Sequence, residues 1–237
     1  MQNKVLIIIP TLNEEKNIVS LTNKILKINP KYEILIVDDS ACIYKRPKKL
    51  IKKVKFIKRK VNDGRCGAVL YGIKNGLNKR FDIFIEMDAD FSHNPNELKR
   101  NISYFLKKKL DLLIASRYLK TSKIVNWSTT RRIFSYLSNK LAQLLLGYNF
   151  TDYTNGYRIY SRRASKLIIK NCGFLSKSFI TLSDIIITLK NNSYKIAEID
   201  SLFVNRVRGD SKISIKLVLV SLYGLFKIFF FKRLLNF

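Results

Sequence analysis

Apolar residues follow two alternating patterns along the chain: short unbroken runs, and longer segments in which they recur every three or four positions. The run at residues 4–11 predicts a buried strand, and residues 13–28 then place Ile18, Leu21, Ile25 and Ile28 at helical spacing. Asn13, with acids directly after it, is the expected N-cap of that helix. The same alternation predicts strands at 32–40, 54–59, 81–90 and 110–118, and helices at 64–77, 94–109 and 127–147.

Strands that alternate with helices favour βαβ units. We therefore predict an α/β fold with a Rossmann-like, mostly parallel sheet and helices on both faces. The length of 237 residues fits one domain, and a hydrophobic content of 47% is typical of a globular rather than a disordered chain.

The cysteines and the N-terminus indicate a reducing compartment. Cys42, Cys66 and Cys172 are an odd number without the spacing of a zinc site or a disulfide framework. The first residues lack the basic segment and cleavage site of a signal peptide, so we expect none.

The formal charge of +28 permits three interpretations: a solvated lysine-rich face, a surface for anionic membranes, or a nucleic-acid contact. The sequence contains no zinc-finger, basic-zipper or RNA-recognition pattern. We therefore expect no nucleic-acid partner.

Acidic residues follow three of the predicted strands. Glu14 comes after the first, Asp38 and Asp39 end the second, and Asp88 and Asp90 end the fourth. Ligands of such sheets bind beyond the carboxyl ends of the strands, so these carboxylates should converge on one rim. Because an unpartnered buried carboxylate is costly, several of them together indicate a functional site.

The spacing of Asp88 and Asp90 indicates the chemistry of that site. In an extended segment, residues i and i+2 point to the same side, so both carboxylates could face one cation. Carboxylate oxygens completed by substrate phosphates suit Mg²⁺ or Mn²⁺. We therefore predict a divalent cation with a phosphorylated ligand.

Eight ordered segments carry a family resemblance: "PTLNEEKNI", "VDDS", "MDADFSHNP", "ASRY", "W…RR…S…N", "DYTNGYRIY", "YKIAEIDSLFVNR" and "RVRGDSK". In this order they resemble a family 2 glycosyltransferase of the GT-A fold, and within it the dolichol-phosphate mannose synthases and their polyprenyl-phosphate relatives. The resemblance implies a GT-A domain at residues 1–212. The apolar composition of residues 213–237 predicts a membrane-associating C-terminal helix.

The resemblance also implies roles for individual residues. Catalysis would involve Asp90, Arg117 and Arg131; the metal would be held by Asp88, Asp90 and Ser92; and the acceptor phosphate would meet Arg117 and Arg131. The nucleotide sugar would be bound by Pro10, Leu12, Glu14, Val37, Asp39, Asp88, Ala89, Asp90, Arg206 and Lys212.

The implied reaction is an inverting transfer of a sugar, mannose or glucose, from a nucleotide-diphosphate sugar to a dolichyl or undecaprenyl phosphate. It would take place at the cytoplasmic face of a membrane. A phosphate monoester has a second pKa of about 6, so the acceptor is already largely dianionic and no strong base is required.

Two other functions stay open at this point. A GT-A enzyme of cell-envelope polysaccharide synthesis would glycosylate a saccharide hydroxyl and need a carboxylate base, for which Asp184 is the candidate. A basic module that binds nucleic acid or acidic lipid would leave the acidic rim unexplained.

Several single residues also have alternative interpretations. His93 could line the site or be structural, Trp127 could be a packing anchor or a sugar platform, and Asp184 could contact the acceptor or cap a helix.

The C-terminal segment is apolar from Leu217 to Phe231 apart from three positions. About 15 helical residues extend roughly 22 Å, which is short of the about 30 Å hydrocarbon core. The segment could lie in the membrane surface, pack as a core helix, or form half of a transmembrane hairpin. In the first case we expect Lys227, Lys232 and Arg233 to reach lipid head groups while residues 229–231 enter the acyl chains.

Overall fold

A computed structural model describes residues 3–40, 53–60, 62–173, 180–205 and 223–234. Within these ranges the chain forms a seven-stranded sheet and a small two-stranded sheet. The strands are β1 Val5–Thr11, β2 Glu33–Asp38, β3 Val54–Lys58, β4 Ile83–Glu86, β5 Leu112–Ser116, β6 Lys123–Val125, β7 Arg158–Ser161, β8 Ile196–Asp200 and β9 Leu202–Val204. The helices are α1 Glu15–Ile28, α2 Arg65–Leu77, α3 Leu98–Lys107, α4 Thr129–Leu146, α5 Arg162–Asn171 and α6 Ile180–Asn191.

The large sheet has the strand order β3-β2-β1-β4-β7-β5-β8. Strand β7 runs antiparallel to both of its neighbours, β4 and β5, while the other neighbouring pairs of this sheet are parallel. The small sheet pairs β6 with β9 in parallel. The predicted mostly parallel α/β sheet is confirmed, and the insertion of β7 is a feature that the apolar pattern did not predict.

Helices cover both faces of the large sheet. Its strands β1, β2, β4 and β5 are runs of mostly apolar residues, and successive side chains of a strand point to opposite faces. On β1, Leu6 and Ile8 face a core that includes α2, α4, α5 and α6. Ile7 and Ile9 face a second core formed with α1 and α3, to which α1 contributes Ile18, Leu21 and Ile25. The helical spacing read from the sequence is therefore the spacing of residues that are buried against the sheet.

Two local predictions were wrong. Asn13 does not cap α1: it adopts a positive φ of 58°, and Glu14 occupies the N-cap position without a side-chain cap bond. The fourth strand ends at Glu86, so Asp88 and Asp90 lie in a turn that follows it. The same-side argument for an extended segment does not apply to these two residues.

The described end of the chain packs against the domain. Residues 223–228 are α-helical and Phe229–Leu234 continue in wider π-helical turns, with Leu225 and Ile228 buried in the core beside α6. The ammonium of Lys232 bonds to Thr188 Oγ1 at 2.7 Å and lies 2.5 Å from Asp184 Oδ1. Residues 213–222 and the Arg233 side chain lie outside the described part of the chain.

These contacts overturn two expectations. The Lys232 ammonium is directed into the domain rather than toward lipid head groups, because it neutralises a buried carboxylate. Asp184 is in the interior of α6, where it pairs with Lys232 and accepts from the backbone N–H of Gly173 at 3.1 Å, so it neither caps the helix nor lines a cleft. Among the described residues, no helix is long and apolar enough to cross a membrane.

Candidate active site

A cleft of about 410 Å³ opens beyond the carboxyl ends of β1, β2 and β4. Strand β1 has β2 on one side and β4 on the other, and the crevice above such a point is where open α/β sheets bind ligands. Ten of the predicted site residues line it, namely Pro10, Leu12, Glu14, Asp39, Asp88, Ala89, Asp90, Ser92, Arg117 and Arg131.

One predicted residue in the described part of the chain does not line the cleft. Val37 is fully buried in the core, because its position on β2 turns the side chain into the α2 face of the sheet. Arg206 and Lys212 lie outside the described residues.

The acidic rim forms largely as expected, and its carboxylates have partners within the protein, as Asp38 and Asp39 illustrate. Asp39 pairs with Arg59, whose Nε donates to Asp39 Oδ1 at 2.7 Å. Asp38 is buried beneath the cleft and accepts from Thr11 Oγ1 at 3.0 Å and from Ser40 Oγ at 2.6 Å. Asp38 therefore holds Thr11 and Ser40, while Asp39 reaches the cleft.

The turn after β4 carries the candidate metal ligands. The backbone N–H of Ser92 donates to Asp90 Oδ1 at 3.0 Å, and Phe91 between them adopts a positive φ of 62°. The hydroxyl of Ser92 is buried and makes no hydrogen bond to the described part of the chain. An unsatisfied buried oxygen beside two carboxylates fits a hard cation.

The carboxylates alone do not complete such a site. In the described ranges no three His, Cys, Asp or Glu side chains are grouped to hold a metal ion. This suits Mg²⁺ or Mn²⁺, which proteins often bind through one or two carboxylates together with substrate phosphates.

Arg65, at the first position of α2, is the site residue that sequence reasoning missed. Its Nε donates to Asp88 Oδ1 at 2.6 Å, its Nη1 pairs with Glu86, and its Nη2 donates to the Gly156 carbonyl at 3.2 Å. A positive side chain in the first turn is unfavourable in the field of the helix dipole, and acidic partners offset this effect. The unfavourable position of this arginine was the signal in the sequence that could have indicated its acidic partners.

This ion-pair cluster shifts the pKa values of its members. Burial alone would raise the pKa of Asp88, but the charge of Arg65 holds it below the ordinary value. The pKa of Arg65 is raised well above its usual range, since the attraction of Asp88 and Glu86 outweighs its burial. Burial raises the pKa of the neighbouring Cys66 thiol to about 12, so this cysteine stays protonated.

His93 holds the turn after β4 through hydrogen bonds of its ring. Its Nδ1 accepts from the backbone N–H of Asp88 at 3.0 Å, so Nε2 carries the proton and donates to Asn155 Oδ1 at 3.0 Å. The ring is 1% exposed and stacks on Tyr157 with centroids 5.2 Å apart. These contacts support the structural interpretation of this histidine.

The two predicted acceptor arginines differ in their surroundings. Arg117 is 8% exposed and donates to both oxygens of Asp152, at 2.7 and 2.8 Å, and to Thr154 Oγ1 at 2.7 Å. Opposite charge raises the pKa of Arg117 and lowers that of Asp152 against the effect of burial on each. The charge of Arg117 is therefore neutralised within the protein.

Arg131 lies in the first turn of α4, which Ser128 caps by accepting from its backbone N–H. Its Nη1 donates to Asn205 Oδ1 at 2.9 Å, and its guanidinium carbon is 4.3 Å from the centre of the Trp127 ring. Trp127 also packs edge-on against Phe203 at 5.3 Å. Trp127 is thus a packing anchor for the arginine.

Comparison with known proteins gives a consistent result. Residues 6–168 match the model of glycosyl transferase family 2. An undecaprenyl-phosphate mannosyltransferase of Micrococcus luteus is 32% identical over 89% of this chain and 88% of its own length. A polyprenol monophosphomannose synthase of Mycolicibacterium smegmatis is 31% identical over 89% and 81%. A dolichol-phosphate mannosyltransferase of Pyrococcus furiosus is 30% identical over 95% of this chain and 63% of that protein.

Solved structures support the fold. Glucosyl-3-phosphoglycerate synthase from Mycobacterium tuberculosis, in complex with Mn²⁺, UDP and phosphoglyceric acid, superposes with a TM-score of 0.69 at 16% identity, over 96% of this chain and 78% of that one. Its complex with Mn²⁺, UDP and glucosyl-3-phosphoglycerate gives 0.67 at 16% identity, over 95% and 79%. At this identity the likeness shows the shared architecture alone.

Proposed function

Because this chain belongs to glycosyl transferase family 2, we propose that it moves a sugar from a nucleotide-diphosphate sugar to a polyprenyl phosphate. The observation that carries the proposal is the cleft at the strand ends, where an acidic turn and three arginines line the same space. The three relatives named above all carry polyprenyl-phosphate or dolichol-phosphate mannosyl transfer in their names, which supports mannose as the sugar.

The donor would bind along the ends of β1, β2 and β4. Pro10, Leu12 and Glu14 lie on the β1 side of the cleft, and Asp39 reaches it from β2. Asp88, Asp90 and the unsatisfied hydroxyl of Ser92 would hold Mg²⁺ or Mn²⁺ against the diphosphate. When bound, the ion would stabilise the charge of the departing nucleoside diphosphate.

The acceptor phosphate would be received by the arginines. We assign this role to Arg131, whose Nη1 donates to Asn205, and to Arg117, which pairs with Asp152 and also holds the shape of the loop beneath it. A phosphate oxygen would attack the anomeric carbon from the side opposite the diphosphate, which inverts the configuration. No side chain has to remove a proton, because the phosphate is already ionised.

The alternative of a saccharide hydroxyl acceptor is not favoured. It requires a carboxylate base beside the acceptor, and Asp184, the candidate for that role, is buried against Lys232.

The test of the reaction uses labelled GDP-mannose, UDP-glucose and UDP-GlcNAc with undecaprenyl phosphate, followed by extraction into organic solvent. We expect label in the organic phase with GDP-mannose and a divalent cation, and little with the D90N variant or with excess chelator. Full turnover in chelator would contradict the metal site. Transfer to a soluble saccharide, without label in the lipid, would favour the alternative acceptor.

We further propose that the enzyme acts on the cytoplasmic face of a membrane, seated through α4 and the C-terminal segment, which are in contact. Large apolar side chains are exposed on both elements: Ile133, Tyr136, Leu137 and Leu144 on α4, and Tyr223, Phe226, Phe230 and Phe231 on the C-terminal segment. The ammonium of Lys140 lies over Tyr136, and that of Lys227 over Tyr223. Cations beside exposed aromatics suit an anionic lipid surface.

Flotation with anionic liposomes tests this seating. Truncation of the segment would expose the core around Ile228, so surface substitutions are the better perturbation. Combined replacement of Phe226, Phe230 and Phe231 by serine should reduce flotation, while the control Leu106→Ser, an exposed apolar residue of α3, should not. Equal flotation of both variants and the wild type would disprove the role of the segment.

A further inference from the structure

Arg65 is a cation that the protein itself places among the candidate metal ligands. Two of its nitrogens, Nε and Nη2, lie 2.6 and 2.5 Å from the same atom, Oδ1 of Asp88. The second carboxylate oxygen, Oδ2, is 3.7 Å from His93 Nε2. Arg65 therefore binds one carboxylate oxygen of Asp88, Oδ1, and does not bind the other.

The neighbouring residues hold the Arg65 side chain beside Asp88. Glu86, its second acidic partner, is 1% exposed and also accepts from Tyr160 Oη at 2.7 Å. A side chain at Gly156 would place its Cβ 2.1 Å from Arg65 Nη2, so the glycine leaves room for the guanidinium. Strand β4, helix α2 and the loop before β7 thus meet at this one residue.

The charges at this position can be counted. Glu86 and Asp88 contribute two negative charges and Arg65 contributes one positive charge, and the charge of Arg117 also acts on Asp88. Without Arg65 one positive charge next to Asp88 would be lost and a further oxygen of that carboxylate would be released, and both changes strengthen the attraction of a free cation.

We propose that Arg65 is a positioning residue that fastens Asp88 and weakens the site for a free divalent cation, so that the cation binds firmly only together with the nucleoside diphosphate. This inference rests on the proposed metal site and adds an order to its assembly. The diphosphate oxygens supply the ligands and the negative charge that the Arg65 ion pair withholds.

The experiment measures Mn²⁺ affinity directly, from the EPR signal of free Mn²⁺, with and without GDP at about pH 8, where carboxylates are ionised. The variants are R65Q and R65M, which remove the charge, and R65K, which keeps it. R163Q is the matched control, because Arg163 pairs with Asp111 at the opposite end of the strands, away from the cleft.

We expect R65Q and R65M to bind Mn²⁺ in the absence of GDP at least about fivefold more tightly than the wild type, since a nearby positive charge is removed. The gain in Mn²⁺ affinity on adding GDP should shrink correspondingly. R65K should stay near the wild type, and R163Q should match it.

The inference is overturned if R65Q and R65M bind Mn²⁺ as the wild type does, or more weakly. It is equally overturned if both lose their circular dichroism spectrum, since Arg65 would then be a structural residue. The D90N variant separates this failure from that of the proposed function. If D90N binds Mn²⁺ as well as the wild type, the metal site itself is wrong; if D90N is weakened and R65Q is unchanged, only the role of Arg65 is wrong.

Discussion

Replacement of Asp152 by asparagine should be among the most destabilising single changes in this protein. Asp152 is fully buried, and its two oxygens accept six hydrogen bonds. Oδ2 accepts from the backbone N–H and Nε of Arg117. Oδ1 accepts from Arg117 Nη2, from the hydroxyl of Thr154, and from the N–H groups of Thr154 and Asn155. Either orientation of an asparagine amide would turn its NH₂ group toward donors.

The magnitude follows from burial. Removing one partner of a buried ion pair leaves the other charge uncompensated and costs about 3 to 5 kcal/mol. The free energy of unfolding of a domain is about 5 to 15 kcal/mol, so the loss is a large fraction of the total. By contrast, the pair of Lys55 and Glu33 is 46% and 39% exposed, and such pairs contribute about 0 to 1 kcal/mol.

Urea titration followed by the fluorescence of Trp127, the only tryptophan, and by far-UV circular dichroism measures the difference. For D152N the midpoint should fall by roughly 1 to 2 M at an unchanged m value, and for the control K55A it should fall by less than about 0.5 M. If the midpoint of D152N falls no further than that of K55A, the buried pair does not stabilise the fold as argued.

The pH dependence of the urea midpoint provides a second test of the Asp152 pair. Because Arg117 lowers the pKa of Asp152 below its ordinary value of 3.8, the unfolded chain takes up this proton before the folded one does. The contribution of Asp152 is therefore complete above the ordinary aspartate range and is lost as pH falls through the folded pKa. The midpoints of the wild type and D152N should accordingly converge as pH is lowered from about 7 to about 3. A constant difference would contradict the assignment.

Three further predictions concern other parts of the chain. R131A should raise the KM for the lipid acceptor and change that for the donor little, because a lost charge-assisted phosphate contact costs about 1.5 to 3 kcal/mol; steady-state kinetics on each substrate decide this, and a raised donor KM alone would reverse the assignment. K232M leaves the buried Asp184 without its ammonium and should cost about 3 to 5 kcal/mol in urea titration, whereas a cost below about 1 kcal/mol would show that the pair is dispensable. Cys66 and Cys172, both buried with pKa values raised to about 12, should resist iodoacetamide in the native protein and react after unfolding, as peptide mass spectrometry would detect; labelling of either in the folded protein would contradict their burial.

The elements from β1 to α4, apart from the short β6, could be predicted because each shows its own apolar period, whereas α5, α6 and β7–β9 were not predicted. Helix α3 is an example: Leu98, Ile102 and Phe105 recur at helical spacing and are buried together on one side of the sheet. The position of β7 could not be predicted in this way. Its four residues carry no local information on which strands they enter, since that choice depends on pairing with residues far away in the sequence.

The same limit applies to the candidate site. The acidic rim was predictable because the ends of parallel strands meet at one edge, a property of the fold class rather than of any contact. The roles of Arg65 and His93 were not, because they depend on which side chains meet across loops. The turn at Asp88 was misread as strand, since nothing in the local sequence indicates that its N–H bonds to a histidine ring instead of a neighbouring strand.

The position of β7 between β4 and β5 also has a consequence for how the protein is made. Strands Ile83–Glu86 and Leu112–Ser116 leave the ribosome well before Arg158–Ser161, the strand that joins them. Until that strand emerges, β4 has an unpaired edge and β5 has no partner, since β8 follows β7 in the chain, and such edges are templates for pairing with other chains. Completion of the sheet requires contacts between distant parts of the sequence, which form slowly. The interval in which the chain is most exposed to aggregation, and most dependent on chaperones, therefore falls during synthesis of the residues between β5 and β7.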